Sequence, residues 1–118
     1  MKKPSTTLGI SERKAVPLYR GVVRFFPAAL AAVAHASLLG CEKHSPGKPM
    51  HHDRGKSADH ADALIRHLVD MEEDFGRGAG LDEWGVPQVA YVAWRALALC
   101  QEWLEKHDGA PAAPGSKP

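Results

Sequence analysis

Asp59, Asp62 and Arg66 share one face of a helix if the segment is helical, because each residue advances about 100° around the axis. Two carboxylates facing one way can share a hard cation, and magnesium and manganese prefer oxygen ligands while accepting water at the remaining positions. Glu42, near the end of the preceding helical pattern, is the candidate third carboxylate, and His35 lies one heptad before it. The same residues also suit a plainer arrangement. In it Asp59 favours the positive end of the helix dipole, and Asp62 and Arg66 form a surface i, i+4 pair worth roughly a few tenths of a kcal/mol.

Between the two helical patterns, Lys43, Lys48, Arg54 and Lys56 surround Ser45, Gly47 and Gly55, the composition of a flexible segment that closes on phosphate. Cations beside carboxylates are what a metal–triphosphate site needs, since they offset negative charge on the transferred group and its leaving group. The sequence carries no phosphate-loop or dinucleotide glycine motif, which sets kinase and Rossmann chemistry aside. His44, His51 and His52 raise zinc as an option, but they sit in a loop without companion cysteines, whereas zinc wants ligands fixed by structure. His67 and Asp70 read as a solvent-facing pair, and His60 has no evident role. Tyr19, Phe25, Trp84 and Tyr91 have faces that can stack on a purine, with core packing the default role of each.

These residues need helices to position them. Pro27 suits a first turn, and Phe26, Leu30, Val33 and Cys41 recur at helical spacing, which predicts a helix over about 27–43. Its alanines permit close approach of a neighbour, and Gly40 either helps end it or lets another backbone come near. Ser57 is a suitable N-cap for a second helix, with Ala61, Leu64, Ile65, Leu68, Met71 and Phe75 as its apolar stripe, ending before Gly76. Pro87 opens a third, with Val89, Val92, Ala93, Ala96, Leu97, Cys100 and Leu104 on one stripe, broadened by Tyr91, Trp94, Leu99 and Trp103. A face that wide must be buried on several sides, which implies a subunit interface. Residues 16–24 read as an ordered loop or short helical turn.

The expected organisation is a flexible segment over 1–12, one all-α domain over 13–107 built from three to four main helices, and a disordered tail over 108–118. With 118 residues the chain holds one domain, and 44% hydrophobic and 25% charged residues are ordinary for a globular protein. Fifteen basic and fourteen acidic residues give a net charge of +1, so no global field points to nucleic acid or an anionic membrane. Lys2, Lys3, Arg13, Lys14, Arg20 and Arg24 crowd the first fifth of the chain, and Asp70, Glu72, Glu73, Asp74, Asp82 and Glu83 form an acidic stretch later. Cys41 and Cys100, each inside an apolar pattern, read as buried free thiols in a reducing compartment. Leu38-Leu39-Gly40-Cys41 looks like a lipoprotein cleavage box. Polar residues separate the N-terminal charges from the apolar run, however, and the run is too short to span a bilayer, so the expected location is cytoplasmic.

The run Arg13 to Pro27, the element Gly40-Cys41-Glu42-Lys43-His44 and the element Asp59-His60-Ala61-Asp62-Ala63-Leu64-Ile65-Arg66-His67-Leu68 resemble the phage dATP/dGTP diphosphohydrolases, relatives of the MazG group. The resemblance covers roughly residues 13–105. It implies an all-α MazG-like fold completed by homo-oligomerisation as a dimer or tetramer. It also implies hydrolysis of a purine deoxynucleoside triphosphate to the monophosphate and pyrophosphate, an activity that serves modified-base synthesis in some relatives. Under it, Glu42, Asp59 and Asp62 hold Mg2+ or Mn2+, Glu42, Asp62 and Lys43 are catalytic, and Lys43, Arg54, Lys56, Arg66 and His67 meet the substrate. One departure stands out: the MazG group carries Glu-Glu-x-x-Glu on its first helix, where this chain has Ala31-Ala32-Val33-Ala34-His35. The competing expectation is a non-catalytic helical interaction module.

Overall fold

The computed structural model describes residues 14–51, 58–77 and 79–114, and it is all-helical. A π-helical turn over Tyr19–Val23 precedes three α-helices: α1 over Pro27–His44, α2 over His60–Arg77 and α3 over Gln88–His107. Each α-helix lies within a few residues of its predicted bounds. Pro27 occupies the first turn of α1, where its missing N–H costs nothing. Lys106 and His107 sit in the last turn of α3, beside the negative end of its dipole. The expected N-cap Ser57 and the segment 1–12 lie outside the described residues; at the start of α2 the Asp59 carbonyl accepts from the Ala63 N–H at 2.9 Å.

α3 is the central element. Both α1 and α2 pack along it, and α1 and α2 barely touch each other. The α1–α3 contact rests on small residues: Ala36 and Ala90 are buried with Val86, and Ala32, Leu39 and Tyr91 pack around them. Alanine at a crossing lets two backbones approach closely, so the packing face of α1 centres on Ala36. Phe26, expected on that face, is exposed. Gly40 neither ends α1 nor admits a neighbouring backbone, since a Cβ added there would meet nothing within 4 Å.

The buried face of α2 matches its apolar stripe only in part, with Leu64, Leu68 and Met71 half-buried. Ala63 is buried, while Ala61, Ile65 and Phe75 remain exposed. What α2 offers α3 includes His60, His67 and Asp74, spaced by heptads and so nearly aligned along one side. α3 answers with Gln88, Arg95 and Glu102 at the same spacing. His60 meets Arg95 and Glu102, and Asp74 meets Gln88, so the helices run antiparallel across a polar seam.

The α2–α3 connection is a tight loop. Leu81 and Pro87 form an antiparallel bridge, flanked by hydrogen bonds from Asp82 N–H to the Val86 carbonyl at 2.8 Å and from Gln88 N–H to the Gly80 carbonyl at 3.0 Å. Gly80 has φ +75°, a left-handed conformation that favours glycine, and an added Cβ would come within 3.2 Å of the exposed Phe75 ring and push it aside. After α3 the chain folds back: Ala110 is buried, and the Ala113 N–H donates to Glu105 Oε2 at 3.2 Å. Among the described residues no helix is long and apolar enough to cross a membrane.

Candidate functional site

A cavity of about 350 Å3 opens between the C-terminal half of α1, the loop 79–87 and the first half of α3. Trp84, Tyr91 and Trp94 contribute aromatic surface, Lys43 and Arg95 contribute positive charge, and His67 reaches it from α2. The volume falls in the range of roughly 300–1,000 Å3 typical of small-molecule sites. Gly40 lines it too, and the absent side chain keeps that wall open.

Asp82 holds the loop in place. Its Oδ1 accepts from the N–H groups of Trp84 and Val86 at 2.9 and 2.8 Å, and its Oδ2 accepts from the Tyr91 hydroxyl at 2.7 Å. Burial pushes the Asp82 carboxyl upward, but these three donors and the nearby Lys43 charge outweigh it and hold the group below the ordinary carboxylate range. Tyr91 moves the other way: burial, then the facing Asp82 carboxylate, raise its phenol well above the usual value. Trp84 is thereby set against Lys43, whose Nζ lies 5.0 Å from the ring centroid, a cation–π distance.

The polar seam supplies the other two groups. Arg95 Nη1 lies 2.9 Å from His60 Nδ1. A guanidinium only donates, so Nδ1 accepts and the ring proton sits on Nε2, 2.8 Å from Glu102 Oε2 though short of hydrogen-bond alignment. His60 is 3% exposed, and Arg95 is thus braced from behind by a buried imidazole while lining the cavity in front. The His67 ring stacks on Tyr91 with centroids 4.8 Å apart, and its Nδ1 lies 2.9 Å from Gln88 Oε1.

Of the residues predicted to act, Lys43 and His67 are brought together in this cavity. Glu42, Asp59, Asp62 and Arg66 are exposed and do not line it, and Arg54 and Lys56 lie outside the described residues. The carboxylates Glu42, Asp59 and Asp62 do not form a metal-holding set; among the described residues no group of three or more His, Cys, Asp or Glu does. The physical reason is the arrangement of the bundle. Glu42 is exposed at the C-terminal end of α1, whereas Asp59 and Asp62 are exposed on either side of His60, which packs against Arg95 and Glu102 well along α3. Asp59 also commits an oxygen to Arg66, at 2.8 Å, and that hydrogen bond holds its carboxyl below the ordinary range. Arg66 therefore pairs with Asp59, in place of the expected Asp62 pair.

His44 and His51 line the cavity, and His52 lies outside the described residues. His51 Nδ1 lies 3.3 Å from the sulfur of Cys41, which is buried as expected, whereas Cys100 is exposed on α3. Trp84 and Tyr91 line the cavity as aromatic candidates; Tyr19 and Phe25 are exposed, in neither a core nor a site. Sequence reasoning missed Arg95, His60, Gln88 and Asp74. The heptad spacing of two matched polar sets, on α2 and α3, was the signal that could have found them. The chain matches no protein-family model, no curated protein and no solved structure.

Proposed function

We propose that the protein binds a purine deoxynucleoside triphosphate in the cavity between α1 and α3 and hydrolyses it to the monophosphate and pyrophosphate. The observation that carries this reading is the pairing, in one cavity, of aromatic faces from Trp84, Tyr91 and Trp94 with the cations Lys43 and Arg95. Aromatic rings accept a purine face at a gain of roughly 1–3 kcal/mol per base, and Lys and Arg offset phosphate charge. Lys43 Nζ lies 5.0 Å from the Trp84 ring centroid, so a cation and an aromatic ring stand side by side in the cavity. The reading agrees with the activity implied by the sequence resemblance. It differs in the residues: Lys43 and His67 are kept, Arg95 is added, and Glu42, Asp59 and Asp62 have no shared place at the cavity.

The test is a panel of purine and pyrimidine deoxynucleoside triphosphates, supplied as magnesium or manganese complexes, with pyrophosphate release and quenching of tryptophan fluorescence as paired readouts. Saturable quenching and pyrophosphate release with a purine triphosphate are expected. Quenching without release would leave a nucleotide-binding protein, and neither would sink the reading.

A second reading, the helical interaction module, is favoured by α3. Val89, Ala96, Cys100 and Trp103 recur at helical spacing and are all exposed, Val89 at 53% and Trp103 at 58%. Such a stripe suits a second copy of the chain. Self-association measured by sedimentation, with no nucleotide bound, would favour this reading over the first.

A further inference from the structure

We propose that His67 is the general base of the cavity, with Gln88 and Asp74 as the positioning residues that keep its proton on Nδ1. The inference rests on the hydrolytic reading above and names the group that would activate water for it.

Three side chains form a line of hydrogen bonds, from Asp74 through the buried Gln88 to His67. The Asp74 carboxylate only accepts hydrogen bonds, so the Gln88 amide must turn its Nε2 toward it, and the two lie 2.9 Å apart. That leaves Gln88 Oε1, an acceptor, facing His67 Nδ1 at 2.9 Å, so the His67 proton must sit on Nδ1. Nε2 then carries the lone pair. Gln88 is 6% exposed, held at the first turn of α3, and cannot rotate without leaving polar groups unsatisfied in the seam. The Tyr91 ring stacked on the imidazole fixes its plane. An imidazole with Nδ1 donating to Gln88 and Nε2 left as the acceptor nitrogen, at the wall of a cavity, is equipped to accept a proton.

In the step itself the water oxygen bonds to the α-phosphorus as its proton passes to His67 Nε2. The bond from the α-phosphorus to the bridging oxygen breaks, and its electron pair leaves with pyrophosphate. The imidazolium returns its proton to solvent. Lys43 and Arg95, across the same cavity, offset the charge gathering on the leaving group.

Three measurements on the full chain test this. Long-range 15N–1H spectra, with His67 assigned by its loss in His67→Asn, are expected to show the Nδ1–H tautomer in the wild type. Gln88→Leu is expected to abolish that preference and slow pyrophosphate release roughly tenfold or more. His67→Asn is expected to slow release at saturating nucleotide by roughly 10²–10⁴-fold while nucleotide still quenches tryptophan fluorescence. A wild-type His67 protonated on Nε2, or a His67→Asn protein that hydrolyses within about threefold of wild type, overturns the proposal and leaves the hydrolytic reading standing. A wild type with the Nδ1–H tautomer that releases no pyrophosphate from any triphosphate defeats the hydrolytic reading, and the base role with it, while the relay remains as structure.

Discussion

Two oxygens of Asp82 receive three hydrogen bonds, and through them one side chain ties the loop 79–87 to α3 and presents Trp84 to the cavity. Asp82→Ala is expected to cost about 2 kcal/mol, the scale of hydrogen bonds to a charged group, read as a lower midpoint in urea denaturation with altered Trp84 emission. Because the folded-state carboxyl is held below its unfolded value, the stability it contributes is present above the unfolded pKa of roughly 4 and is lost as pH falls through the lower folded value. Acid titration of the tryptophan emission is therefore expected to show a transition below about pH 4 that is absent in Asp82→Ala. Arg95 works at the same scale. Arg95→Met keeps the length of the side chain but removes its charge, and nucleotide affinity is expected to fall about tenfold, equivalent to about 1.4 kcal/mol, with the helical circular dichroism unchanged.

At the scale of elements, the existence and span of α1, α2 and α3 were legible from apolar recurrence and from Pro27 and Pro87. Their rotations were not. Periodicity orients a helix by its large apolar side chains, and on α2 that stripe leaves Ala61, Ile65 and Phe75 in solvent. Leu64, Leu68 and Met71 of that stripe are half-buried, and the contact with α3 adds the buried Ala63 and polar groups that meet across the seam, where a hydrogen-bonded polar group is as admissible as an apolar one. His67, paired by spacing with Asp70, instead finds Gln88, and His60, which had no role, braces Arg95. Gly40 offers a test of α1. It lies inside the helix with open space around it, so Gly40→Ala is expected to stabilise the protein by about 1 kcal/mol in thermal denaturation. A bulkier Gly40→Leu is expected to fill the cavity mouth and weaken nucleotide quenching.

For the whole molecule, what is buried is small. Among the described residues the buried apolar set is Ala36, Cys41, Ala63, Val86, Ala90 and Ala110, and Val86 is the largest side chain fully enclosed. Burial of a Val, Leu or Phe side chain contributes roughly 1.5–3 kcal/mol, and Val89, Leu97 and Trp103 of α3 lie exposed and would gain by it on association. Self-association is the expected outcome, and Trp103→Glu is expected to shift the sedimenting species toward monomer; a wild type monomeric at tens of micromolar would count against it. Local rules decided the all-α class and the bounds of three helices, because helix formation depends on neighbours a few residues apart. The basic composition after α1 also drew attention to Lys43, whereas only the family resemblance tied His67 to a site. Which side chains meet was decided by the tertiary structure alone. Glu42 on α1 does not join Asp59 and Asp62 in a metal-holding group, while a histidine, a glutamine and an aspartate from two helices are drawn into one line.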